Sequence, residues 1–282
     1  MKYSVSSYSF NQLVKTGEMT LLDCVRKAHE MGFDAVEFID IKGDTQEERL
    51  DMAKSLRAEA DRLGIDICAY TIGASLYYDE EEKSDAEVER LCRQVDVAVA
   101  LGASVMRHDV CHSLGKSGNS RSFDLMLPTI AKNARKVAEY AAARGVRTCS
   151  ENHGFIAQDS DRVERLFCAV AHDNYGILVD IGNFLCVDEN PTVAVSRLAP
   201  YAVHVHAKDF VSCESGGIQT RGANRIAGTT IGEGIVPVKQ CLAILKRAGY
   251  DGYLTVEYEG AAPCLDGIAK GLANLKRFVS EI

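Results

Sequence analysis

Apolar residues recur along the chain at helical spacing, and these stretches repeatedly end at a glycine that precedes a short β-rich segment. One stretch shows the pattern clearly. Its apolar face consists of Leu50, Ala53, Leu56, Ala60 and Leu63, and Gly64 and the segment 65–71 follow. A glycine in this position can adopt the left-handed conformation that closes the last turn of a helix. The pattern therefore predicts a helix followed by a strand.

The same junction occurs five times, at Gly32, Gly64, Gly102, Gly145 and Gly249. In all, eight β-rich segments alternate with helical ones, and they cover residues 3–7, 35–39, 65–71, 103–108, 146–151, 175–180, 202–206 and 252–257. Strict alternation predicts a parallel sheet, and eight units in 282 residues predict one α/β domain over residues 1–282, a (β/α)8 or TIM barrel. An open doubly wound sheet is disfavoured because residues 6–13 contain no glycine for a phosphate-binding turn.

Composition and charge restrict the functional class. Apolar residues make up 46% of the chain and charged residues 26%, as is typical of globular domains. The formal net charge of −8 disfavours a nucleic-acid ligand, because a phosphate backbone would be repelled over most of the surface. The longest apolar run is about half as long as a membrane span requires. The first residues do not show the basic segment followed by an apolar segment that is typical of a secretory leader. The ten cysteines include no CxxC pair. We expect a cytoplasmic protein that binds neither nucleic acid nor membranes.

Four consecutive β-rich segments end in residue types that bind metal ions, and these residues are Glu151, Asp180, His206 and Glu257. In a parallel barrel, the carboxyl ends of the strands form the mouth where the chemistry takes place. Three carboxylates and one imidazole suit Mn²⁺, Mg²⁺ or Co²⁺ better than a thiolate-bound structural Zn²⁺, although Zn²⁺ is also compatible. Any one of these residues alone would equally serve to solubilise a loop or to cap a helix. The four together predict a metal site.

Five motifs around these positions resemble those of a known family. They are SENHGF (150–155), VDIGNF (179–184), VHVHAKDF (203–210), GTTIGEGIVP (228–237) and LTVEYEG (254–260). Together they resemble the xylose-isomerase-like barrel superfamily, which includes ketose 3-epimerases, hydroxypyruvate isomerase, inosose dehydratase, 3-dehydroshikimate dehydratase and the apurinic-site endonucleases. The resemblance covers essentially the whole chain. It implies that Glu151, Asp180, His206 and Glu257 hold one divalent ion, with Mn²⁺ favoured.

Residues two positions apart on a strand point the same way, and this alternation selects four neighbours of the metal ligands. His153 is either a proton carrier or substrate ligand, as the resemblance to the dehydratases implies, or a cap for a loop carbonyl. Lys208 either contacts a substrate oxygen or forms an ion pair with Asp209. We expect His204 to lie deeper in the barrel and Glu259 to lie at the rim.

Other residues are expected near the mouth. Glu37, Arg107 and His108 close the second and fourth β-rich segments. Asn183 stands where some ketose epimerases of the resembled superfamily carry a substrate-contacting histidine, which weakens a direct match to those epimerases. The connection 208–235 is long and rich in glycine and serine, which predicts a lid over the metal, and the connection 109–122 is a candidate to close the other side. The glycines at 228–234 give a weak phosphate-binding pattern.

The ligand set and the resemblance together indicate a chemistry. A divalent ion that holds two adjacent oxygens of a hydroxyketone acidifies the neighbouring C–H. Glu151 and Glu257 could then move protons on opposite faces of a metal-stabilised enediolate. We therefore expect a metal-dependent isomerase or epimerase of a small sugar or keto-sugar, with Glu151, Glu257, His153 and Lys208 as catalytic residues. The alternative is a metal-dependent dehydratase of the inosose or 3-dehydroshikimate type.

Two more distant alternatives fit the sequence less well. A phosphodiester hydrolase with several zinc ions would need further histidines at the ends of the third and fourth strands, where only His108 is available. A catalytically silent binding barrel would be expected to lack a ligand, and none of the four is missing. The resemblance also implies a homo-oligomer, either a dimer or a tetramer. The carbon skeleton of the substrate and its phosphorylation state do not follow from the sequence.

Overall fold

The computed structural model describes residues 1–282 and contains a closed barrel of eight parallel strands. The strands of the chain are β1 (Lys2–Ser6), β2 (Ala35–Ile39), β3 (Asp66–Ile72), β4 (Val105–His108), β5 (Arg147–Glu151), β6 (Tyr175–Asp180), β7 (Ala202–Ala207), β8 (Asp209–Ser212), β9 (Ile218–Gln219), β10 (Arg225–Thr229) and β11 (Tyr253–Val256). The barrel consists of β1–β7 and β11 in chain order, closed by pairing of β11 with β1. This confirms the predicted (β/α)8 barrel, and each barrel strand lies within about two residues of its predicted bounds.

Helices connect the barrel strands. They are α1 (Asn11–Val14), α2 (Leu21–Glu30), α3 (Gln46–Leu63), α4 (Glu81–Leu101), α5 (Phe123–Ala142), α6 (Ser160–Val170), α7 (Pro191–Leu198), α8 (Val238–Arg247) and α9 (Cys264–Ser280). Thr20 and Thr45 open α2 and α3 with capping boxes, which satisfy the first free N–H groups. All five predicted glycine junctions have a positive φ. None of the helices is both long and apolar enough to cross a membrane.

The two faces of the barrel strands have different surroundings. Apolar side chains between the strands and the helices form the main core cluster, which contains 70 buried residues. Polar side chains lie inside the barrel below the mouth, where Ser4 and Thr255 share a 2.6 Å hydrogen bond. The apolar layer makes the scaffold rigid. The polar side chains inside the barrel include Glu37 and His204, which supply hydrogen-bond partners below the mouth.

The connection 208–235, predicted to be a lid, contains a three-stranded antiparallel sheet in the order β8-β10-β9. It is anchored to the turn after β6, where the Asp188 carboxylate accepts hydrogen bonds from Thr220 Oγ1 and Asn224 Nδ2, each at 2.8 Å. The glycine-rich turn that follows does not form an open phosphate site. Its N–H groups at Gly232, Gly234 and Val236 donate to the Asp209 carboxylate.

Substitution of Gly64 by alanine tests the helix-closing role of these glycines. Gly64 has a φ of 69°, and an added Cβ would meet no atom within 4 Å, so only backbone strain opposes the change. We expect urea unfolding to show a loss of about 1 kcal/mol. Gly73→Ala is the matched control, since Gly73 lies outside the left-handed region and its Cβ would contact only Asp109 Oδ2 at 3.7 Å. Equal losses of unfolding free energy in Gly64→Ala and Gly73→Ala would contradict the helix-closing role of Gly64.

Candidate metal centre and active site

Four side chains converge at the carboxyl ends of β5, β6, β7 and β11. One ligand atom from each of Glu151, Asp180, His206 and Glu257 lies within 4.8 Å of the others. Three of these residues are almost entirely buried, and Glu257 is partly exposed toward a cavity. The structure thus brings together all four predicted metal ligands. Their grouping follows from strand register, because Asp180 and His206 are partners on β6 and β7.

Asp180 is fixed by the turn that ends β6. Its Oδ1 atom accepts hydrogen bonds from the N–H groups of Gly182 at 2.7 Å and Asn183 at 2.9 Å. The Asn152 side chain bonds both the N–H and the C=O of Asp180, at 2.8 and 2.9 Å. Gly182 is required here because a Cβ would come within 2.8 Å of the Lys208 carbonyl oxygen. The other carboxylate oxygen, Oδ2, is buried without a hydrogen-bond partner and faces the cluster.

The ring of His206 is oriented by Glu37, which reaches across the barrel from β2. The His206 Nε2–H group donates to Glu37 Oε2 at 2.9 Å, so Nδ1 faces Glu151 and Glu257. Nδ1 is itself buried without a hydrogen-bond partner. Glu37 Oε2 also accepts from His204 Nε2 at 2.9 Å. Although burial alone would raise the pKa of Glu37, the two imidazoles lower it to about 2, so this residue is an anion.

The structure changes the prediction for Glu37 and agrees with the one for His204. Glu37 was expected to line the mouth, but it is fully buried below the cluster, where its hydrogen bond orients His206. A carboxylate that accepts from the remote nitrogen of a metal-binding histidine is a common supporting contact, because it fixes the ring and increases its basicity. His204 lies deeper, as expected, and is also in contact with Thr255 Oγ1 at 2.8 Å.

Glu151 is paired with a buried arginine. Arg107 Nη2 lies 2.6 Å from Glu151 Oε2 and 2.7 Å from Asp109 Oδ1. Asn183 Nδ2 donates to the other Glu151 oxygen at 2.9 Å. Burial by itself would raise the pKa of Glu151, but the Arg107 guanidinium beside it holds that pKa below its usual value. Asn183 therefore positions Glu151, whereas the corresponding residue of the resembled epimerases contacts substrate.

Glu257 is paired with Lys208 in a similar way. Lys208 Nζ lies 2.6 Å from Glu257 Oε2, 3.2 Å from Glu259 Oε1 and 3.5 Å from Asp180 Oδ2. Burial opposes the charge on Lys208, but Glu257 and Asp180 raise its pKa well above the usual value. The alternative prediction, an ion pair between Lys208 and Asp209, is wrong. Asp209 is occupied by backbone N–H groups, and Lys208 points into the cluster instead.

His153 lies beside the cluster and is not part of it. Its Nδ1 atom is 2.8 Å from Asp109 Oδ1, and its side chain is 48% exposed. Burial would lower the pKa of His153, but the hydrogen bond to Asp109 raises it. Asp109 Oδ1 thus contacts both Arg107 and His153, which places an imidazole at the edge of the cavity next to Glu151.

The cluster opens into a cavity of about 200 Å³. Its lining combines the residues described above with groups from the ends of β1–β3, and it consists of Tyr8, Ile39, Asp40, Thr71, Ile72, Gly73, Arg107, Glu151, His153, His206, Lys208, Glu257 and Glu259. Tyr8 and Asp40 were not predicted at the mouth. Asp40 follows β2 directly and Tyr8 lies two residues after β1, so their position just beyond a strand end is the signal that could have found them.

One predicted mouth residue lies elsewhere. His108 is fully buried, and its ring centroid is 6.3 Å from that of Tyr175, in the layer between the barrel and the helices. Successive side chains on a strand point to opposite faces, so Arg107 and His108 cannot both face the barrel mouth. The β8–β10 sheet also contributes no residue to the cavity lining.

A closed parallel barrel with charged residues gathered at the carboxyl ends of its strands is the arrangement of (β/α)8 enzymes. The chain belongs to the xylose isomerase-like TIM barrel family, whose model matches residues 25–278. This confirms the resemblance drawn from the five motifs.

Curated relatives include two bacterial proteins. The rhizopine catabolism protein MocC of Rhizobium meliloti is 25% identical over 259 residues, which cover 86% of this chain and 76% of that protein. An inosose dehydratase of Lacticaseibacillus casei is 23% identical over 137 residues, which cover 46% of each protein. The second match therefore spans less than half of the relative.

Solved structures with the same fold include several that cover nearly the whole chain. The IOLI protein with a bound zinc atom has a TM-score of 0.78 at 15% identity, and the alignment covers 100% and 99% of the two chains. A Mycobacterium smegmatis barrel protein in complex with magnesium has a TM-score of 0.73 at 16% identity, with 99% and 97% covered. The E. coli 3-keto-D-glucoside 4-epimerase YcjR has a TM-score of 0.73 at 16% identity, with 98% and 99% covered. At these identities the likeness establishes the fold alone.

Proposed function

We propose that Glu151, Asp180, His206 and Glu257 hold one divalent cation. Two observations support this assignment. Asp180 Oδ2 and His206 Nδ1 are buried and make no hydrogen bond, and one ligand atom from each of the four residues lies within 4.8 Å of the others. Isolated polar atoms of this kind are costly unless a partner satisfies them. Three carboxylates and one imidazole suit Mn²⁺ first, with Mg²⁺, Co²⁺ or Zn²⁺ also compatible. Zinc and magnesium are named with two structural neighbours.

We further propose that the protein is an isomerase or epimerase of a small sugar or keto-sugar. A divalent ion, when bound, would polarise a carbonyl group and acidify the neighbouring C–H. The observation that carries the proposal is the presence of two carboxylates, Glu151 and Glu257, each with its own buried cation, Arg107 and Lys208. They come from β5 and β11, with β6 and β7 between them. They can therefore approach a substrate from two sides.

The paired carboxylates define how protons move. In an epimerase, one carboxylate takes the proton from the carbinol carbon and the other returns a proton to the opposite face. In an aldose–ketose isomerase, one carboxylate serves both neighbouring carbons. Lys208 keeps its ion pairs with Glu257 and Glu259 and can offer its remaining N–H to an uncharged substrate oxygen, and Arg107 holds Glu151 in position. The epimerase YcjR, with the same fold, is consistent with this chemistry.

A second candidate function is a dehydratase, and the His153–Asp109 pair favours it. A protonated His153 at the edge of the cavity could donate its proton to a hydroxyl group that leaves as water. The partial match to an inosose dehydratase points in the same direction. Loss of water and inversion begin with the same proton removal by Glu151 or Glu257, so the two functions differ only in the step that His153 performs.

Mass spectrometry in heavy water separates the two functions. The protein is loaded with Mn²⁺ and incubated with D-fructose, D-tagatose and scyllo-inosose. Gain of deuterium without loss of mass supports isomerisation or epimerisation, and loss of about 18 mass units supports dehydration. Removal of the ion with a chelator should abolish either reaction, and added Mn²⁺ should restore it. Absence of both changes with every substrate would contradict the proposal.

Replacement of Glu37 by glutamine tests the metal site without touching a ligand. The amide keeps the shape of the side chain but removes the negative charge that orients His206, so we expect Mn²⁺ affinity to fall about 10- to 100-fold. Isothermal titration of Mn²⁺ into metal-free protein measures this change. Glu30→Gln, in the exposed last turn of α2, is the control and should leave the affinity unchanged. Wild-type affinity in Glu37→Gln would contradict the assigned site.

Cytoplasmic location and assembly into a dimer or tetramer remain predictions from the sequence and from the family resemblance.

A further inference from the structure

The charge of the cavity lining bears on the kind of substrate that fits it. Four carboxylates line the cavity, from Asp40, Glu151, Glu257 and Glu259. The lining contains two permanently charged cations, Arg107 and Lys208. A divalent ion at the proposed site would do no more than balance this excess of negative charge. Apart from a protonated His153, which is held by Asp109, no net positive charge is then left to attract an anionic ligand.

Both cations are already committed to carboxylates of the protein. Arg107 is bound to Glu151 and Asp109, and Lys208 is bound to Glu257 and Glu259. Their side chains are 9% and 5% exposed, respectively. If either cation turned toward a phosphate, it would leave buried carboxylates without a counter-charge, which is strongly unfavourable.

The groups around the rim provide no substitute. His153 is held by Asp109, and Lys42, which lies outside the lining, is paired with Asp40. Arg90 donates to the Gly73 carbonyl at 2.6 Å and is bound to Glu87. The glycine-rich turn that could have cradled a phosphate is filled by the Asp209 carboxylate.

The hydrogen-bonding groups of the cavity lining also favour an uncharged ligand. An ionised carboxylate only accepts hydrogen bonds, so beyond their contacts with Lys42 and Lys208 the oxygens of Asp40 and Glu259 can accept hydroxyl donors of a ligand but give nothing to its acceptors. The Tyr8 hydroxyl is kept protonated, because burial and the nearby Glu259 raise the pKa of Tyr8 to about 12. A polyol satisfies these groups. A phosphate ester, which carries up to two negative charges and is rich in acceptors, does not.

We propose that the site takes an uncharged polyhydroxylated carbonyl compound and rejects its phosphorylated counterpart. This inference rests on the proposed function, because it concerns the substrate of the same site. Asp40 and Glu259 are the residues that determine this selectivity, since they line the cavity outside the proposed metal cluster.

Ligand binding and deuterium exchange are measured separately to test this selectivity against phosphorylated sugars. Saturation-transfer NMR with the Mg²⁺-loaded protein compares D-fructose with D-fructose 6-phosphate and D-tagatose with D-tagatose 6-phosphate, with excess Mg²⁺ and inorganic phosphate as a control. We expect each phosphate ester to bind at least about 10-fold more weakly than the free ketose, as repulsion between like charges requires. Equal or tighter binding of the esters overturns the proposal, and so does the absence of binding by both free ketoses.

Deuterium exchange on the same samples reports on the proposed function. Selective binding of free ketoses without exchange contradicts the isomerase proposal but supports the charge selectivity. Deuterium exchange together with tighter binding of the phosphate esters supports the isomerase proposal but contradicts the charge selectivity.

Removal of the rim charges tests their role in the selectivity. In Glu259→Gln and Asp40→Asn, made singly and together, we expect the preference for the free ketose to fall by about 5-fold or more per charge removed. Glu30→Gln, on the outside of α2, should keep the wild-type preference. An unchanged preference in the double variant overturns the assignment to these two residues.

Discussion

Replacing Glu151 with glutamine is expected to lower the conversion rate of the best sugar substrate by about 10³-fold or more, the range typical for loss of a general base. Glutamine keeps the shape of the side chain and its hydrogen bond with Asn183, but it cannot take a proton. The rate is measured by NMR in heavy water at saturating Mn²⁺, and the metal content of each sample is determined. The measured metal content shows whether weakened metal binding, instead of loss of the base, causes the lower conversion rate.

Glu257→Gln is the paired variant, and it should show a loss of similar size. If the two carboxylates work on opposite faces, each variant should still exchange deuterium with one epimer while failing to convert it. Glu30→Gln should keep the full rate. Wild-type conversion by metal-loaded Glu151→Gln would remove this residue from the mechanism.

Replacing Arg107 with methionine is expected to reduce the free energy of unfolding by about 3–5 kcal/mol. The change removes the cation shared by Glu151 and Asp109, which are both buried, and leaves them without a counter-charge. Methionine fills much of the same space, so the loss comes from charge more than from packing. Urea unfolding in metal-free buffer measures it.

Arg197→Met provides the matched comparison. Arg197 lies 3.2 Å from Asp161, and its side chain is 40% exposed, so its ion pair contributes less than about 1 kcal/mol. A loss in Arg107→Met as small as that in Arg197→Met would contradict the view that this arginine neutralises the site.

The fold and the four clustered residues could be predicted because both follow from local rules. Glycine junctions mark the ends of five helices, and polar side chains at or next to the ends of parallel strands meet at the mouth of a barrel. The position of Glu37 depends instead on how distant segments meet, and nothing in the sequence near Glu37 indicates that it would lie under His206. The error at His108 was local: it and Arg107 are neighbours on β4 and must point to opposite faces, so only one of them can reach the mouth.

The sheet in the connection 208–235 was not predicted, for a related physical reason. The length of the connection and its glycine and serine content are typical of mobile loops, so they predicted a lid and no strands. The structure instead pairs three short strands and uses Asp209 and Asp188 to bind the backbone and side chains of the turns. Such contacts between residues about 20 to 40 positions apart leave no periodic pattern in the sequence.

The bond between Glu37 and His206 joins residues 169 positions apart in the chain. Contacts of such large sequence separation form slowly, since a long loop must close first. His206 therefore acquires its fixed orientation only when the opening strands have met the closing ones. A nascent or truncated chain that lacks either end should hold cations poorly, so cation uptake should report on completed assembly of the polypeptide.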